Sequence, residues 1–321
     1  MEAVVETPKP MWERYGFAAC LALLFVFQII LGFLGLPAWV TIISGILFIS
    51  LPIGALFCAA SSKWTAGKGF LWLGFGVVTQ VLCTLGARMI GPGAAQIFFE
   101  AGAQLGLIFW CAGLGALVGV LIKDKNMILP VAIFLAGFDI FLVMTPNTFI
   151  SATVEKNPQL LQSVALRIPA ARTETGPPGK ALPPRIQPVA FVGPADLIFV
   201  MTFFVLLFRF EMKVKETLRW LVPILVIYMA MALSPTFLGM LPALVPIGLT
   251  VLIVNRDQFK LAKDEKLGVI LVAVIASGLA IYGITARIRS KPKAKPAVPY
   301  KQAPGQEAPT LPTKPAPASS D

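Results

Sequence analysis

Long apolar runs separated by short polar segments dominate the sequence. An α-helix needs roughly 20 apolar residues to cross a bilayer, and most of the runs are close to that length. They are Tyr15–Leu36, Ala38–Ala60, Phe70–Ile90, Ile97–Ile122, Met127–Met144, Val189–Phe208, Leu218–Leu238, Leu241–Val254 and Leu267–Ala286. The pattern predicts an all-α fold, a polytopic bundle of about nine transmembrane helices in which the eighth is short.

The polar segments divide the chain into four parts. Residues 1–126 form an N-terminal part with four helices, and residues 127–254 form a second part that contains a long loop at 146–188. Residues 255–286 add one more membrane helix, and the basic, Pro-rich tail at 287–321 is predicted to be disordered. Within the loop, the stretch QLLQSVALRI has apolar residues at helical spacing, which predicts a helix on the membrane surface.

Composition supports a membrane protein. Only 13% of the residues are charged and mean hydropathy is +0.80, whereas about a quarter of a soluble protein is charged. The net charge of +11 comes from Lys and Arg in short loops and in the tail, where such residues set membrane orientation. We therefore expect the lipid bilayer, and not nucleic acid, as the partner of this charge. The same bias predicts a cytoplasmic N-terminus and an outward-facing long loop.

The absence of histidine and the isolated cysteines exclude several kinds of catalytic and metal site. The chain has no histidine, which excludes His-based zinc motifs and His-based catalytic triads. The four cysteines lie on different apolar runs without a CxxC pair, and we interpret them as small residues of the membrane core. They are Cys20, Cys58, Cys83 and Cys111. No metal and no cofactor is predicted.

Two aspartates lie inside apolar runs, and these are the residues most indicative of function. A charged Asp near the middle of a membrane costs roughly 2.5–3.5 kcal/mol on insertion scales, so such a residue usually has a functional role. Asp139 and Asp196 lie on consecutive runs, and neither has a basic residue close to it in its own run. The pair could share a proton, or it could bind a cation or proton in a transporter with broken helices.

Helix-breaking residues accompany both the second aspartate and a later run. Gly193 and Pro194 precede Asp196, and they interrupt helical hydrogen bonding. Non-helical backbone at membrane depth is tolerated only where protein buries it or a wet cavity adjoins it. A Pro-Ala-Leu tripeptide, Pro242–Leu244, opens an apolar run one span after the Asp196 run.

The order and spacing of Phe-Asp, Gly-Pro-Ala-Asp and Pro-Ala-Leu resemble those of the presenilin and signal peptide peptidase family of intramembrane aspartyl proteases. The resemblance covers Ile128 to Val254 and includes the Arg-Phe-Glu sequence after the second aspartate helix, Arg209–Glu211. It implies a presenilin-like core in which Asp139 and Asp196 are catalytic. The substrates would be transmembrane segments of membrane proteins or leftover signal peptides. The residues expected to bind substrate are Phe138, Gly193, Pro194, Ala195, Pro242, Ala243 and Leu244.

The chain departs from that family at two positions beside the aspartates. Phe138 stands where the family has tyrosine, and Ala195 stands where it has glycine. The chain also has one span fewer before the first aspartate and one more after the Pro-Ala-Leu run. A silent relative that binds membrane proteins without cleaving them, and a transporter, are therefore retained as alternatives. Intramembrane proteolysis otherwise uses zinc with His ligands or Ser with a His base, so the aspartates are the machinery available here.

The remaining polar residues within the apolar runs have structural interpretations. Arg88 and Glu100 lie at neighbouring span ends, where an ion pair between them is possible. Gln28, Gln80 and Gln104 are expected to link helices through hydrogen bonds. The many Gly and Ala residues of Ala101–Gly119 predict close helix packing.

Overall fold

A computed structural model describes residues 11–33, 40–90, 93–145, 164–169, 188–233 and 242–290. Within these ranges the chain is mostly helical. The α-helices are α1 (Met11–Phe33), α2 (Val40–Ala60), α3 (Ala66–Ile90), α4 (Ala94–Leu121), α5 (Ile128–Met144), α6 (Pro194–Arg209), α7 (Val214–Leu233), α8 (Leu244–Val254) and α9 (Lys263–Ser290). Two short strands, β1 (Leu166–Pro169) and β2 (Pro188–Val192), and two 3₁₀ turns, Lys125–Met127 and Arg256–Gln258, complete the described elements.

Six of the described helices, α1 to α5 and α9, are long and apolar enough to cross a membrane. This composition is that of a multi-pass membrane protein, but the count of nine spans is wrong for the described residues. The predicted span Val189–Phe208 is shortened because its first residues form β2, which leaves α6 with 16 residues. The eighth run gives only the 11-residue α8, and the seventh is described only as far as Leu233, the end of α7.

A β-hairpin lies directly before α6. β1 pairs antiparallel with β2, with Leu166 opposite Val192 and Ile168 opposite Ala190. The surface helix predicted around β1 is therefore wrong over Leu166–Ile168, where the chain is extended. Leu166 and Ile168 are both buried, and residues two apart lie on the same face of a strand. The rest of the loop lies outside the described residues.

Helices α3 and α4 pack closely through glycines, as the Gly and Ala content of Ala101–Gly119 predicts. A methyl group at Gly106 would lie 2.5 Å from the backbone nitrogen of Gln80, and Gly76 and Gly113 face similarly close backbone. The Trp110 indole N–H also donates to the Gln80 side-chain oxygen, which confirms that Gln80 links these two helices. Large apolar side chains on the opposite face of α3 are exposed, as expected of a surface that contacts lipid.

Helix α6 is largely enclosed by its neighbours. Every residue from Val200 to Leu207 is buried, and the helix packs on α2 and α4. Arg209 fixes its far end, because the guanidinium donates to the backbone carbonyls of Gly119, Val120 and Ile122. These carbonyls belong to the end of α4, where backbone acceptors lack intrahelical partners. The buried core thus joins helices of residues 1–126 to helices of residues 127–254.

Asn255 joins the start of α7 to the end of α8. Its buried side chain donates to the Thr217 hydroxyl at 3.0 Å and to the Val251 carbonyl at 2.9 Å, and accepts from the Lys213 backbone N–H at 2.9 Å. The Lys213 ammonium also pairs with exposed Asp257 at 2.9 Å, and this hydrogen bond lowers the pKa of the Asp257 carboxyl. The contacts hold the two helices that flank Pro242–Leu244.

Candidate aspartate site

Asp139 lies in the C-terminal half of α5, and α8 supplies its partner. The backbone N–H of Leu244 donates to Asp139 Oδ2 at 2.8 Å. Leu244 is the first residue of α8, and N–H groups in the first turn of a helix have no intrahelical acceptor. The Asp139 carboxylate therefore satisfies a donor that belongs to the Pro-Ala-Leu segment.

Asp196 is the third residue of α6 and caps the start of its own helix. Its Oδ2 accepts the backbone N–H of Gly193 at 3.2 Å, while its own N–H donates to the Gly193 carbonyl at 3.2 Å. Pro194 occupies the first helical position, where its missing N–H removes no helical hydrogen bond. Because β2 ends at Val192, the chain passes from strand to catalytic candidate within a few residues.

The fold brings the two aspartates close enough for their charges to interact. The Asp139 charge acts on the Asp196 carboxyl, and both charges act on the Tyr228 hydroxyl. The buried thiol of Cys111 on α4 also adjoins Asp196, because it donates to the Pro194 carbonyl at 3.6 Å. Asp139 of α5 thus contacts the backbone of α8, and its charge reaches Asp196 of α6.

Tyr228 is a site residue that sequence reasoning missed. It lies on α7, and its hydroxyl donates to the Pro242 carbonyl at 2.8 Å. Tyr228 therefore holds the Pro-Ala-Leu segment at Pro242, while Asp139 holds it at Leu244. Its position in the sequence could have indicated a role. Tyr228 is one of only four tyrosines, and it lies in the apolar run that precedes Pro242.

The two positions that depart from the family pattern have different surroundings. Phe138 stacks with Phe134 at a ring-centroid distance of 5.7 Å and with Phe141 at 6.2 Å, in one aromatic row along α5. Ala195 is exposed at the second position of α6. Its methyl group is therefore open to an incoming molecule and is not packed against a neighbouring helix.

The predicted substrate-binding residues divide between the two aspartates. Gly193, Pro194 and Ala195 adjoin Asp196, whereas Pro242, Ala243 and Leu244 adjoin Asp139 through the Leu244 hydrogen bond. Pro242 and Leu244 are buried and Ala243 is half-buried.

The donor set of the site suits proton transfer. Two carboxylates can share a proton when they lie close together, so that one serves as a base and the other as an acid. Among the described residues, no group of three or more His, Cys, Asp or Glu side chains is arranged to hold a metal ion.

Comparison with known proteins finds no match. No family model, no curated protein and no solved structure matches the chain.

Proposed function

We propose that this protein is an intramembrane aspartyl protease in which Asp139 and Asp196 hydrolyse peptide bonds of transmembrane segments. The observation that carries the proposal is the 2.8 Å hydrogen bond from the Leu244 N–H to Asp139. It joins the first aspartate to the Pro-Ala-Leu segment, and the second aspartate lies within electrostatic range. These are the three sequence features on which the resemblance to presenilin and signal peptide peptidase rests.

The proposed reaction is the attack of water on a scissile carbonyl. The ionised member of the dyad removes a proton from the water as its oxygen bonds to the carbonyl carbon. The protonated member donates its proton to the carbonyl oxygen, which gives a gem-diol. Collapse of this intermediate breaks the C–N bond, with proton transfer to the departing amine. The acid and base roles belong to the pair as a unit.

An extended substrate suits this site better than a helical one. In a helix, surrounding atoms cover the peptide bonds, so a transmembrane segment must unwind before water can attack it. The hairpin strand β2 leads to Gly193, and Ala195 beside it is exposed. An unwound substrate can pair with backbone in this region or at Pro242–Leu244, a form of strand addition.

Cleavage of a single-span reporter in proteoliposomes tests the proposal. Asp139→Asn and Asp196→Asn should each abolish cleavage, because an amide cannot act as the acid or base. Asp264→Asn is the matched control, since Asp264 is exposed in the first turn of α9. It should cleave at the wild-type rate.

Three results would contradict the proposal. Residual cleavage above background in either dyad variant would show that catalysis does not require both aspartates. Aspartate-dependent ion flux, with no cleavage by the wild type, would establish a transporter. Crosslinking of the reporter to a wild-type protein that never cleaves it would establish a silent binding protein.

A further inference from the structure

A polar cavity of about 350 Å³ lies between α3, α4 and the hairpin strand β1. Its lining residues come from the parts 1–126 and 127–254, and neither aspartate of the dyad belongs to it. The polar residues that matter here are Gln80, Arg88, Gln96, Glu100, Gln104 and Arg167.

Buried polar groups in this cavity lack partners. Gln104 is only 2% exposed, yet neither its side-chain nitrogen nor its oxygen forms a hydrogen bond in the described part of the chain. The prediction that Gln104 links helices is therefore wrong. The Arg167 Nε atom is also buried and unpaired among the described residues. A buried donor without an acceptor is costly, so these groups are suited to a polar ligand in the cavity.

The charges of the lining favour an anion. Glu100 pairs with Arg167 at 3.2 Å, and the Gln96 amide donates to its other oxygen at 2.9 Å. The ion pair that the sequence leaves possible between Arg88 and Glu100 is not formed, because Arg167 pairs with Glu100 instead. Both Glu100 oxygens are thus engaged by other donors, and the positive charge of Arg88 is not balanced within the lining.

The cavity also lies at the edge of a lipid-facing surface. Arg88 is in the last turn of α3, and Leu82, Leu85 and Met89 of the same helix are exposed apolar residues. An arginine in the last turn of a membrane helix lies at the level of lipid headgroups. At this level the guanidinium groups of Arg88 and Arg167 can form charge-assisted hydrogen bonds with an anionic headgroup.

We propose that this cavity binds the phosphate group of an anionic lipid, with Arg88, Gln104 and Arg167 as its donors. Guanidinium groups suit phosphate because their planar N–H groups match its oxygens. Arg167 belongs to β1, which pairs with the strand that leads to Asp196. Arg167 lies opposite Phe191, so a bound headgroup holds the end of the hairpin that leads into Asp196.

Lipid binding by the purified full chain in maltoside detergent tests the site without any measurement of proteolysis. Native mass spectrometry would compare phosphatidylglycerol with a glucosyl diacylglycerol of the same acyl chains, which lacks phosphate. The wild type should retain phosphatidylglycerol preferentially. Arg88→Gln and Gln104→Leu should each weaken that binding by about tenfold or more, the scale of one lost charge-assisted hydrogen bond.

Arg289→Gln is the matched control, because Arg289 is an exposed arginine in the last turn of α9. It should bind phosphatidylglycerol as the wild type does. Arg88 is itself exposed, so Arg88→Gln should fold even where Gln104→Leu does not.

Competition with sodium phosphate distinguishes the sources of the anion. Displacement of phosphatidylglycerol by millimolar phosphate supports a site for the phosphate group in either form. Displacement only by another phosphate-bearing lipid supports the headgroup as its source. Equal retention of both lipids by the wild type, or equal loss of phosphatidylglycerol in Arg289→Gln, would overturn the proposal.

Discussion

Asp139 accepts a 2.8 Å hydrogen bond from the backbone N–H of Leu244, which lies 105 positions later in the chain. The bond joins a carboxylate in a membrane-spanning helix to the start of another helix. The positive end of the α8 dipole also favours a negative charge at this point. One interaction thus gives Asp139 a fixed orientation and gives the α8 terminus an acceptor.

The first prediction separates the structural role of Asp139 from its chemical role. Asp139→Asn keeps an oxygen that can accept the Leu244 N–H, so thermal stability should remain close to wild type. Asp139→Leu leaves that N–H without an acceptor, which should cost about 1–3 kcal/mol. Thermal unfolding of both variants in detergent measures the difference. Equal melting temperatures for Asn and Leu would show that the bond contributes nothing to stability.

The second prediction concerns Tyr228 as a positioning residue. Tyr228→Phe removes only the hydroxyl that donates to the Pro242 carbonyl. We expect a loss of about 0.5–1.5 kcal/mol in stability, together with lower turnover of the reporter because the Pro-Ala-Leu segment is held less firmly. Tyr282→Phe is the control, since Tyr282 is exposed on α9. Turnover at the wild-type rate in Tyr228→Phe would show that the Tyr228 hydroxyl does not position the Pro-Ala-Leu segment for catalysis.

The third prediction concerns the arginine that follows the second aspartate helix. Arg209→Gln removes donors to the last carbonyls of α4, and hydrogen bonds from charged groups contribute about 1.5–3 kcal/mol. The melting temperature should therefore fall. Arg219→Gln, which changes an exposed arginine on α7, should have little effect. A fall of equal size in both variants would show that lost positive charge, and not the cap, is responsible.

The fourth prediction tests the packing of α3 on α4. Gly106→Ala places a methyl group 2.5 Å from the Gln80 backbone nitrogen, whereas an added methyl at Gly74 meets nothing within 4 Å. Overpacking of this kind costs about 1–3 kcal/mol, so Gly106→Ala should lower the melting temperature. Gly74→Ala should hold or raise it, because alanine favours a helix. Equal melting temperatures for Gly106→Ala and Gly74→Ala would show that close packing of α3 on α4 does not contribute to stability.

The sequence predicts much of the site because its signals are local. An acid within an apolar run is visible in Asp139 and Asp196, and the Gly193-Pro194 pair marks the start of a helix. The structure places Asp139 beside Leu244 and within electrostatic range of Asp196. Tyr228 acts through a hydroxyl bound to a backbone carbonyl on another helix, and neither spacing nor hydropathy encodes such a contact.

The number of spans could not be predicted because apolar content does not distinguish a buried strand from the start of a helix. The run Val189–Phe208 is apolar throughout most of its length. Its first residues nevertheless form the strand β2, because they pair with β1. The partner strand lies in a loop whose apolar residues also fit helical spacing. Leu166 and Ile168 are consistent with either structure, and pairing across the loop decides between them.

The last prediction concerns Ala195, which replaces the glycine expected directly before the second aspartate. The structure leaves its methyl group exposed, so Ala195→Gly relieves no strain within the protein and should cost roughly 0.5–1 kcal/mol as a helix glycine. Ala95→Gly is a matched control, because Ala95 is likewise exposed at the second position of its helix, α4. Both variants should lose similar stability, but only Ala195→Gly should cleave the reporter faster, since a substrate carbonyl can then approach Asp196 more closely. Each 1.4 kcal/mol of strain removed from the transition state would raise turnover about tenfold. Steady-state cleavage at saturating reporter measures this effect, and equal rates for the two variants would show that the methyl group does not obstruct the substrate.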